Sequence, residues 1–268
     1  MAAINPKRSQ RNYQTEDISL SDISSVVSHF YPELNISGYT SVDGTVEFYG
    51  RLNSIIDESK TVLDFGAGRA AWFEDDPCHY RRSLRNIRER AGKVVGCDID
   101  DAIFQNNSVD EQVKINLGER LPFEDHSFDV IVSDYTFEHI ANPSEVADEF
   151  HRILRPGGWI CARTPNKYSY ISVLTRLIKN THHAGVLKYA QTKRKEIDVF
   201  PTTFLLNSKG DVSKYFDSSR YKDYTYRYEA EPAYYFNSKW VFAPFRTRPE
   251  FYLPGVGPQQ SLQRSSEC

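Results

Sequence analysis

Short apolar runs separated by helical patterns dominate the middle of the chain. Five of these runs have the length of a buried strand: Thr61–Phe65, Lys93–Asp98, Val113–Leu117, Phe128–Ser133 and Trp159–Arg163. An amphipathic helix is predicted over Pro143–Leu154, and Arg155-Pro-Gly-Gly158 ends it because proline and glycine interrupt helices. Strands that alternate with helices predict an α/β fold with a doubly wound, mostly parallel sheet.

Three further segments carry periodic patterns outside these strands. Apolar residues at helical spacing predict helices over Tyr39–Ile56, Tyr80–Arg90 and Tyr168–Ile178. Tyr224, Tyr226 and Tyr228 alternate as in a strand and are a candidate for the end of the sheet. The span 167–207 is too long for a simple connection, which predicts a cap over a substrate site.

The first strand leads into a glycine-containing turn. Asp64 stands near its end, and Gly66 and Gly68 let the backbone approach a ligand closely because they lack a Cβ. With Ala71 the turn formally satisfies the dinucleotide fingerprint. Asp64 would oppose a pyrophosphate, however, and Asp98 stands 30 residues after Gly68 instead of about 20. An acidic residue before the glycines suits a ligand that carries an ammonium and a sulfonium.

The second strand also ends in a carboxylate. Asp98 is placed there to accept hydrogen bonds from two ribose hydroxyls, with Asp100 as a nearby competitor for that role. The alternative interpretation of Asp98 is a cap for the following helical turn.

The order of these motifs resembles the class I S-adenosylmethionine-dependent methyltransferases. Asp64, Gly66 and Gly68 match the first motif of that family, although Ala70 replaces its usual third glycine. The stretch "LPFEDHSFDVIVSDYTFEHI" is similar to the branch that acts on small molecules, and "RTPNKYSYI" and "RKEIDVFPTTFLLNS" resemble a bacterial surface-polysaccharide or natural-product subgroup. The resemblance implies a Rossmann-like methyltransferase fold, with a seven-stranded, mostly parallel sheet that ends in antiparallel strands and carries a helical cap insertion.

The resemblance also implies a donor site and a reaction. Residues that would contact S-adenosylmethionine are Asp64, Gly66, Ala67, Gly68, Asp98, Ile99, Asn116, Leu117, Ser133, Asp134 and Tyr135. His139 is the first candidate for a general base because it lies just beyond the fourth strand, and capping or packing its own helix is an equal alternative. Tyr39, Tyr49 or Arg51 would approach the methionine carboxylate, or would only pack their helix.

Charge and composition narrow the class of partner. The net charge is −3, which gives no general attraction to nucleic acid, although Arg81, Arg85 and Arg88 form a stripe on a predicted helix. Such a stripe binds phosphate or is a solvated face. Mean hydropathy is −0.56, and neither a spanning helix nor a signal peptide is visible, so a cytoplasmic protein without a transmembrane segment is expected. Cys97 and Cys161 fall in predicted strands, which indicates buried thiols. No metal-ligand spacing is present.

These observations predict one domain with three parts. Residues 1–38 form a polar arm, residues 39–166 the S-adenosylmethionine-binding core, and residues 167–268 a cap insertion, the final strands and an aromatic tail. The predicted activity is methyl transfer to a small hydroxylated acceptor, a sugar or glycan precursor ahead of a quinone or polyketide. A nucleic-acid methyltransferase and a non-catalytic partner protein with the same fold are the alternatives.

Overall fold

A computed structural model describes residues 25–116, 118–168 and 201–230, and the backbone of residues 258–265. The helices are α1 (Ser25–Phe30), α2 (Leu34–Ser37), α3 (Gly44–Asn53), α4 (Trp72–Asp75), α5 (His79–Arg85), α6 (Pro143–Ile153) and α7 (Lys209–Tyr215). The strands are β1 (Thr61–Phe65), β2 (Lys93–Asp98), β3 (Glu111–Lys114), β4 (Phe128–Asp134), β5 (Leu154–Pro165), β6 (Tyr221–Asp223), β7 (Tyr226–Arg227) and β8 (Pro258–Ser265). Short 3₁₀ turns cover Ile87–Glu89, Asp101–Gln105 and Phe137–His139.

The sheet has the order β3-β2-β1-β4-β5-β8-β6, with β7 paired to β8. Strands β1 to β5 are parallel, as the five apolar runs predict. Strand β8 is antiparallel to β5, and β6 and β7 are antiparallel to β8. The described residues thus contain eight strands, five of them parallel, where a seven-stranded sheet was predicted. The parallel part is Rossmann-like, and the order reverses between β1 and β4, where such folds bind ligands at the carboxyl ends of the strands.

The end of the sheet differs from the prediction. The long antiparallel strand is β8, whose sequence PQQSLQRS has no apolar alternation and lies in a part of residues 167–268 for which no strand was predicted. Of Tyr224, Tyr226 and Tyr228, which were predicted to form a strand, Tyr226 alone lies in a described strand, the two-residue β7, and β6 ends just before Tyr224. The predicted helix over Tyr168–Ile178 and most of the predicted cap lie outside the described residues.

Two predicted helices are shorter than their apolar patterns. Helix α3 begins at Gly44 because the Asp43 side chain accepts hydrogen bonds from the backbone N–H groups of Thr45 and Val46. The helix predicted over Tyr80–Arg90 ends at Arg85, because Asn86 has a non-helical backbone (φ −77°, ψ 68°), and a separate 3₁₀ turn follows.

The core lies on both faces of the sheet. One cluster packs α6 and α7 against the sheet through side chains such as Phe150, Ile153 and Phe216, and the other packs α3 and α5 through Phe48, Leu52 and Leu84. Cys97 and Cys161 are buried free thiols, as predicted. Among the described residues, none of the helices combines the length and the hydropathy needed to cross a bilayer. Helices α1 and α2 fall within the predicted N-terminal arm.

Candidate active site

The glycine turn after β1 faces the loop that follows β4. The backbone N–H groups of Gly66 and Ala67 both donate to the carbonyl oxygen of Cys97, at 2.9 and 3.1 Å. Gly66 has φ +78°, and a Cβ at this position would overlap the Thr136 side chain. Gly68 has φ +50° and is also left-handed. Glycine is therefore required at Gly66 by both backbone conformation and space.

Asp98 lies at this turn, and Asp100 does not. The Asp98 carboxylate accepts hydrogen bonds from the backbone N–H of Gly68 and of Asp100, both at 2.9 Å. Asp100 instead accepts from the backbone N–H of Ala102 at 2.8 Å and caps the following 3₁₀ turn. Ile99, between them, is 39 % exposed, which leaves an apolar surface beside the Asp98 carboxylate.

Two further residues, Asn116 and Leu117, were predicted to contact the donor. Asn116 is exposed, and its amide donates to the Glu119 carboxylate at 2.9 Å. Leu117 lies outside the described residues.

Ser133 supports the sheet. Its side chain is fully buried, and its hydroxyl donates to the carbonyl oxygen of Phe65 at 3.1 Å, which links β4 to β1. The next residues project at the carboxyl edge, where Tyr135 has φ +57° and is 45 % exposed. The Arg163 guanidinium lies 4.7 Å from the centre of the Tyr135 ring.

Asp134 is the centre of a buried ionic network. Its two carboxylate oxygens accept from Nε and Nη2 of Arg163, each at 2.7 Å, in a bidentate pair. The Tyr49 hydroxyl also donates to Asp134 at 3.1 Å, and Arg85 Nη2 lies at 3.5 Å. Burial acts to raise the pKa of Asp134, but the neighbouring Arg163 charge holds the pKa below its ordinary value.

The pKa of Asp64 is shifted in the opposite direction from that of Asp134. Burial and the neighbouring Asp134 charge raise the pKa of Asp64 to about 7, against the opposing effect of Arg85. A carboxylate in such a position favours a ligand that brings positive charge to it.

Two arginines of the stripe are paired with carboxylates of the same chain. Arg81 pairs with Asp43 and Asp76 at 2.8 and 2.7 Å, and Arg88 pairs with Asp110 at 2.7 Å. Because carboxylates of the same chain hold these guanidinium groups, the stripe provides little charge for nucleic acid.

Arg85, in the same stripe, belongs to the site. Its guanidinium lies 4.7 Å from the centre of the Trp72 ring and 5.5 Å from that of Tyr49. Its Nε is buried and has no hydrogen-bond partner among the described residues. Arg85 and Arg163 are therefore site residues that the sequence analysis missed, and the one signal for Arg163 was a charged residue at the end of an apolar strand.

Tyr39, Tyr49 and Arg51, which were expected near a methionine carboxylate, make contacts with different partners. Tyr49 faces the site through Asp134, whereas Arg51 pairs with Glu47 at 2.6 Å and is 55 % exposed. Tyr39 stacks on Tyr80 with ring centres 5.2 Å apart. Of the predicted three, Tyr49 alone contacts the ionic network in the described structure.

His139 lies on the 3₁₀ turn after β4. Its Nδ1 is 2.8 Å from the carbonyl oxygen of Pro201. A carbonyl oxygen only accepts, so Nδ1 carries the proton and Nε2 is the basic nitrogen of the neutral ring. The same turn is held by Thr203, whose backbone N–H donates to the carbonyl oxygen of Glu138 at 2.7 Å and whose hydroxyl donates to that of Ile140 at 2.7 Å.

A separate cavity of about 410 Å³ lies against α3. Its lining includes Tyr39, Glu47, Arg51 and Tyr228 and contains neither the glycine turn nor Asp98. We place the candidate site at the switch point of the sheet, because the glycine turn and the acidic strand ends meet there.

The described residues fit an S-adenosylmethionine-type donor. The glycine turn is left-handed at Gly66 and Gly68, Asp98 presents a carboxylate beside the exposed Ile99, and Arg85 has a buried Nε without a partner among the described residues. In the described part of the chain, no group of three or more His, Cys, Asp or Glu side chains is arranged to hold a metal ion.

Comparison with known proteins bears on the family of the chain, and the matched family model begins after the glycine turn. Residues 78–162 match the family model described as a methyltransferase domain. A solved S-adenosylmethionine-dependent methyltransferase from Methanosarcina mazei superposes with a TM-score of 0.51 at 16 % identity, over 81 % of this chain and 98 % of that one. At this identity the superposition shows that the two chains share a fold and shows nothing further.

Two curated relatives match parts of the chain. The biotin biosynthesis bifunctional protein BioHC of Teredinibacter turnerae is 32 % identical over 46 % of this chain and 22 % of its own length. The ubiquinone biosynthesis O-methyltransferase of Hydrogenovibrio crunogenus is 26 % identical over 51 % of this chain and 58 % of its own length. The chain thus spans about a fifth and three fifths of these two relatives. Together with the family model, the matches support an S-adenosylmethionine-dependent methyltransferase domain.

Proposed function

We propose that the protein is an S-adenosylmethionine-dependent methyltransferase that transfers a methyl group to a small hydroxylated acceptor. The observation that carries the proposal is the glycine turn fixed to Asp98 by the 2.9 Å hydrogen bond from Gly68, beside the acidic end of β1. The methyltransferase matches and the switch-point position of this turn support the same assignment.

Each side of the site has a proposed role toward the donor. The Asp98 carboxylate accepts from the ribose hydroxyls, and Ile99 packs on the adenine. Asp64 faces the positively charged end of the donor, and Arg85 binds its carboxylate. These roles match the charges of the described side chains, since Asp64 gains from a nearby cation and Arg85 retains an unused donor at Nε.

The transfer needs alignment more than acid–base chemistry. The donor supplies an activated methyl group, so a single in-line displacement forms the new O–CH₃ bond as the C–S bond breaks. Holding both reactants in line supplies roughly 7–11 kcal/mol in favourable cases. His139 accepts the proton that the acceptor hydroxyl loses, through Nε2.

The acceptor class is inferred from the similar proteins and from Tyr135. The similar proteins include a ubiquinone biosynthesis O-methyltransferase and a malonyl-[acyl-carrier protein] O-methyltransferase. Tyr135, half-exposed at the carboxyl edge of β4, also favours a planar acceptor. We therefore propose that a phenolic, quinone-type acceptor is preferred to the sugar expected from the sequence.

Donor binding tests the proposal. Calorimetry is expected to show binding of S-adenosylmethionine and S-adenosylhomocysteine without binding of NAD. Asp98→Ala should weaken donor affinity strongly, because each hydrogen bond to a charged group contributes roughly 1.5–3 kcal/mol. Asp100→Ala is the matched control, since it removes a carboxylate that only caps the next turn. Binding of NAD alone, or equal losses in the two variants, would contradict the proposed site.

Methyl transfer separates the alternatives. Radiolabelled transfer into phenolic precursors, nucleotide sugars and RNA distinguishes the three acceptor classes. Donor binding without transfer to any fraction of host extract would instead support a non-catalytic partner protein.

The proposed role of His139 has its own test. His139→Ala should lower the rate by about 10²–10⁴ with donor affinity nearly unchanged, because only proton removal is lost. His151→Ala, an exposed histidine on α6, is the control and should keep the parent rate. The parent rate should also fall at low pH, because an imidazolium cannot accept a proton. A full rate with the same pH profile in His139→Ala removes this residue from the reaction.

A further inference from the structure

The buried side chain of Asn106 forms hydrogen bonds to the glycine turn. Asn106 is fully buried, and its amide nitrogen donates to two consecutive carbonyl oxygens of the turn, Ala67 at 3.2 Å and Gly68 at 3.0 Å. Its position, after the 3₁₀ turn that follows β2, gave no signal in the sequence.

The orientation of the Asn106 amide is fixed by its other partners. The Asn106 side-chain oxygen accepts from the backbone N–H of Ser108 at 2.9 Å and from the Ser108 hydroxyl at 2.7 Å. A reversed amide would place its oxygen against two carbonyl oxygens and its NH₂ against a backbone N–H, so it would lose these hydrogen bonds. The backbone carbonyl of Asn106 is held in turn by the Gln112 side chain at 2.8 Å.

Hydrogen bonds therefore hold the turn through both its backbone N–H groups and its carbonyl oxygens. Asp98 holds the N–H of Gly68, and Asn106 holds the carbonyl oxygen of the same residue. Packing adds to this, because a Cβ at Gly96 would approach Ala67 Cβ to 3.2 Å and Val109 Cγ1 to 3.0 Å. Residues of β2 and of the segment after it thus pack closely against the turn, and Asn106 supplies the hydrogen bonds.

We propose that Asn106 is a positioning residue for donor binding, which preorganises the carbonyl groups of Ala67 and Gly68 so that the turn is already in its binding conformation. The proposal rests on the proposed donor site. It differs from the roles assigned to Asp98 and Ile99, because Asn106 acts only through the turn.

The test is Asn106→Asp. The variant keeps the size of the side chain and the acceptor for Ser108, but it directs a carboxylate oxygen at two carbonyl oxygens. The affinity for S-adenosylhomocysteine, measured by calorimetry, is expected to fall by tenfold or more, since two hydrogen bonds are replaced by repulsion. Asn107→Asp is the matched control, because it adds the same charge at an exposed neighbouring position and should keep the parent affinity.

The binding stoichiometry distinguishes positioning from a merely structural role. A positioning role raises the dissociation constant and leaves the number of sites per chain unchanged, whereas partial unfolding lowers the number of sites and leaves the dissociation constant of the folded fraction unchanged. If Asn106→Asp does not fold, Ser108→Ala removes one support of the Asn106 oxygen and should weaken affinity by a smaller factor. Parent affinity in a folded Asn106→Asp, or in Ser108→Ala when Asn106→Asp does not fold, overturns the proposal. A parent protein that binds no donor overturns the proposed function instead.

Discussion

Gly66→Ala is expected to lower donor affinity by more than a hundredfold. The substitution adds a Cβ that overlaps the Thr136 side chain, at a residue whose φ of +78° is already unfavourable for an L side chain. The left-handed conformation alone costs roughly 1–2 kcal/mol. The remaining loss comes from displacement of the turn or of Thr136, which stand on the two sides of the site. Calorimetry with S-adenosylhomocysteine measures the effect, and thermal unfolding shows that the variant remains folded.

Gly50→Ala is the control for this experiment. Gly50 lies inside α3, and a Cβ there has no neighbour within 4 Å. Alanine should stabilise the helix by roughly 0.5–1 kcal/mol and leave donor affinity unchanged. The double variant Gly66→Ala/Thr136→Gly should regain part of the affinity, because the overlapping side chain is gone and only backbone strain remains. Affinity within twofold of the parent in Gly66→Ala would show that the turn does not contact the donor.

Arg163→Met is expected to cause the largest loss of stability. The Arg163 side chain is 3 % exposed, and it neutralises the buried Asp134 while donating to the Thr45 hydroxyl at 3.0 Å. Removal of one partner from a buried ion pair costs about 3–5 kcal/mol, because the other charge is left without compensation. Arg85, at 3.5 Å from Asp134, compensates only in part. Urea unfolding at neutral pH measures the free energy of unfolding.

Two comparisons isolate the role of the charge pair. Arg155→Met is the control on the same strand, because Arg155 pairs with Asp129 but is 43 % exposed, and such a pair contributes about 1 kcal/mol or less. The double variant Arg163→Met/Asp134→Asn should lose less than the sum of its single variants, because neither charge then remains unpaired. Additive losses would show that Arg163 acts by packing alone.

The same pair gives the parent protein a pH dependence with a defined sign. The pKa of Asp134 is lower in the folded chain than in the unfolded one, so its contribution to stability is present above about pH 4 and is lost as the pH falls further. The double variant should lack this component of acid destabilisation.

The sequence predicted the parallel sheet well because buried parallel strands are continuous apolar runs. It also predicted the tight turn at Gly66 and the acidic strand end at Asp98, because both are local patterns. It missed Arg85 and Arg163, whose roles depend on Asp134, 49 and 29 residues away in the chain. Such pairings arise from packing and leave no linear signal. The polar strand β8 was missed for a similar reason, since its pairing with β5 and not its own side-chain pattern makes it a strand.

The two ends of the region predicted as a cap lie side by side in the structure. The backbone N–H of Lys167 donates to the carbonyl oxygen of Asn207 at 2.9 Å, and Lys167 pairs with Asp211 at 2.6 Å. The Asn207 amide also donates to the Thr164 hydroxyl and to the carbonyl oxygen of Pro165, which fixes the returning chain to the end of β5. A loop that is closed at its base changes its closure free energy by only about 0.6 kcal/mol when its length doubles. By this argument a change in the number of residues between Lys167 and Asn207 costs little free energy, and the contacts at Lys167 and Asn207 that hold the end of β5 are kept.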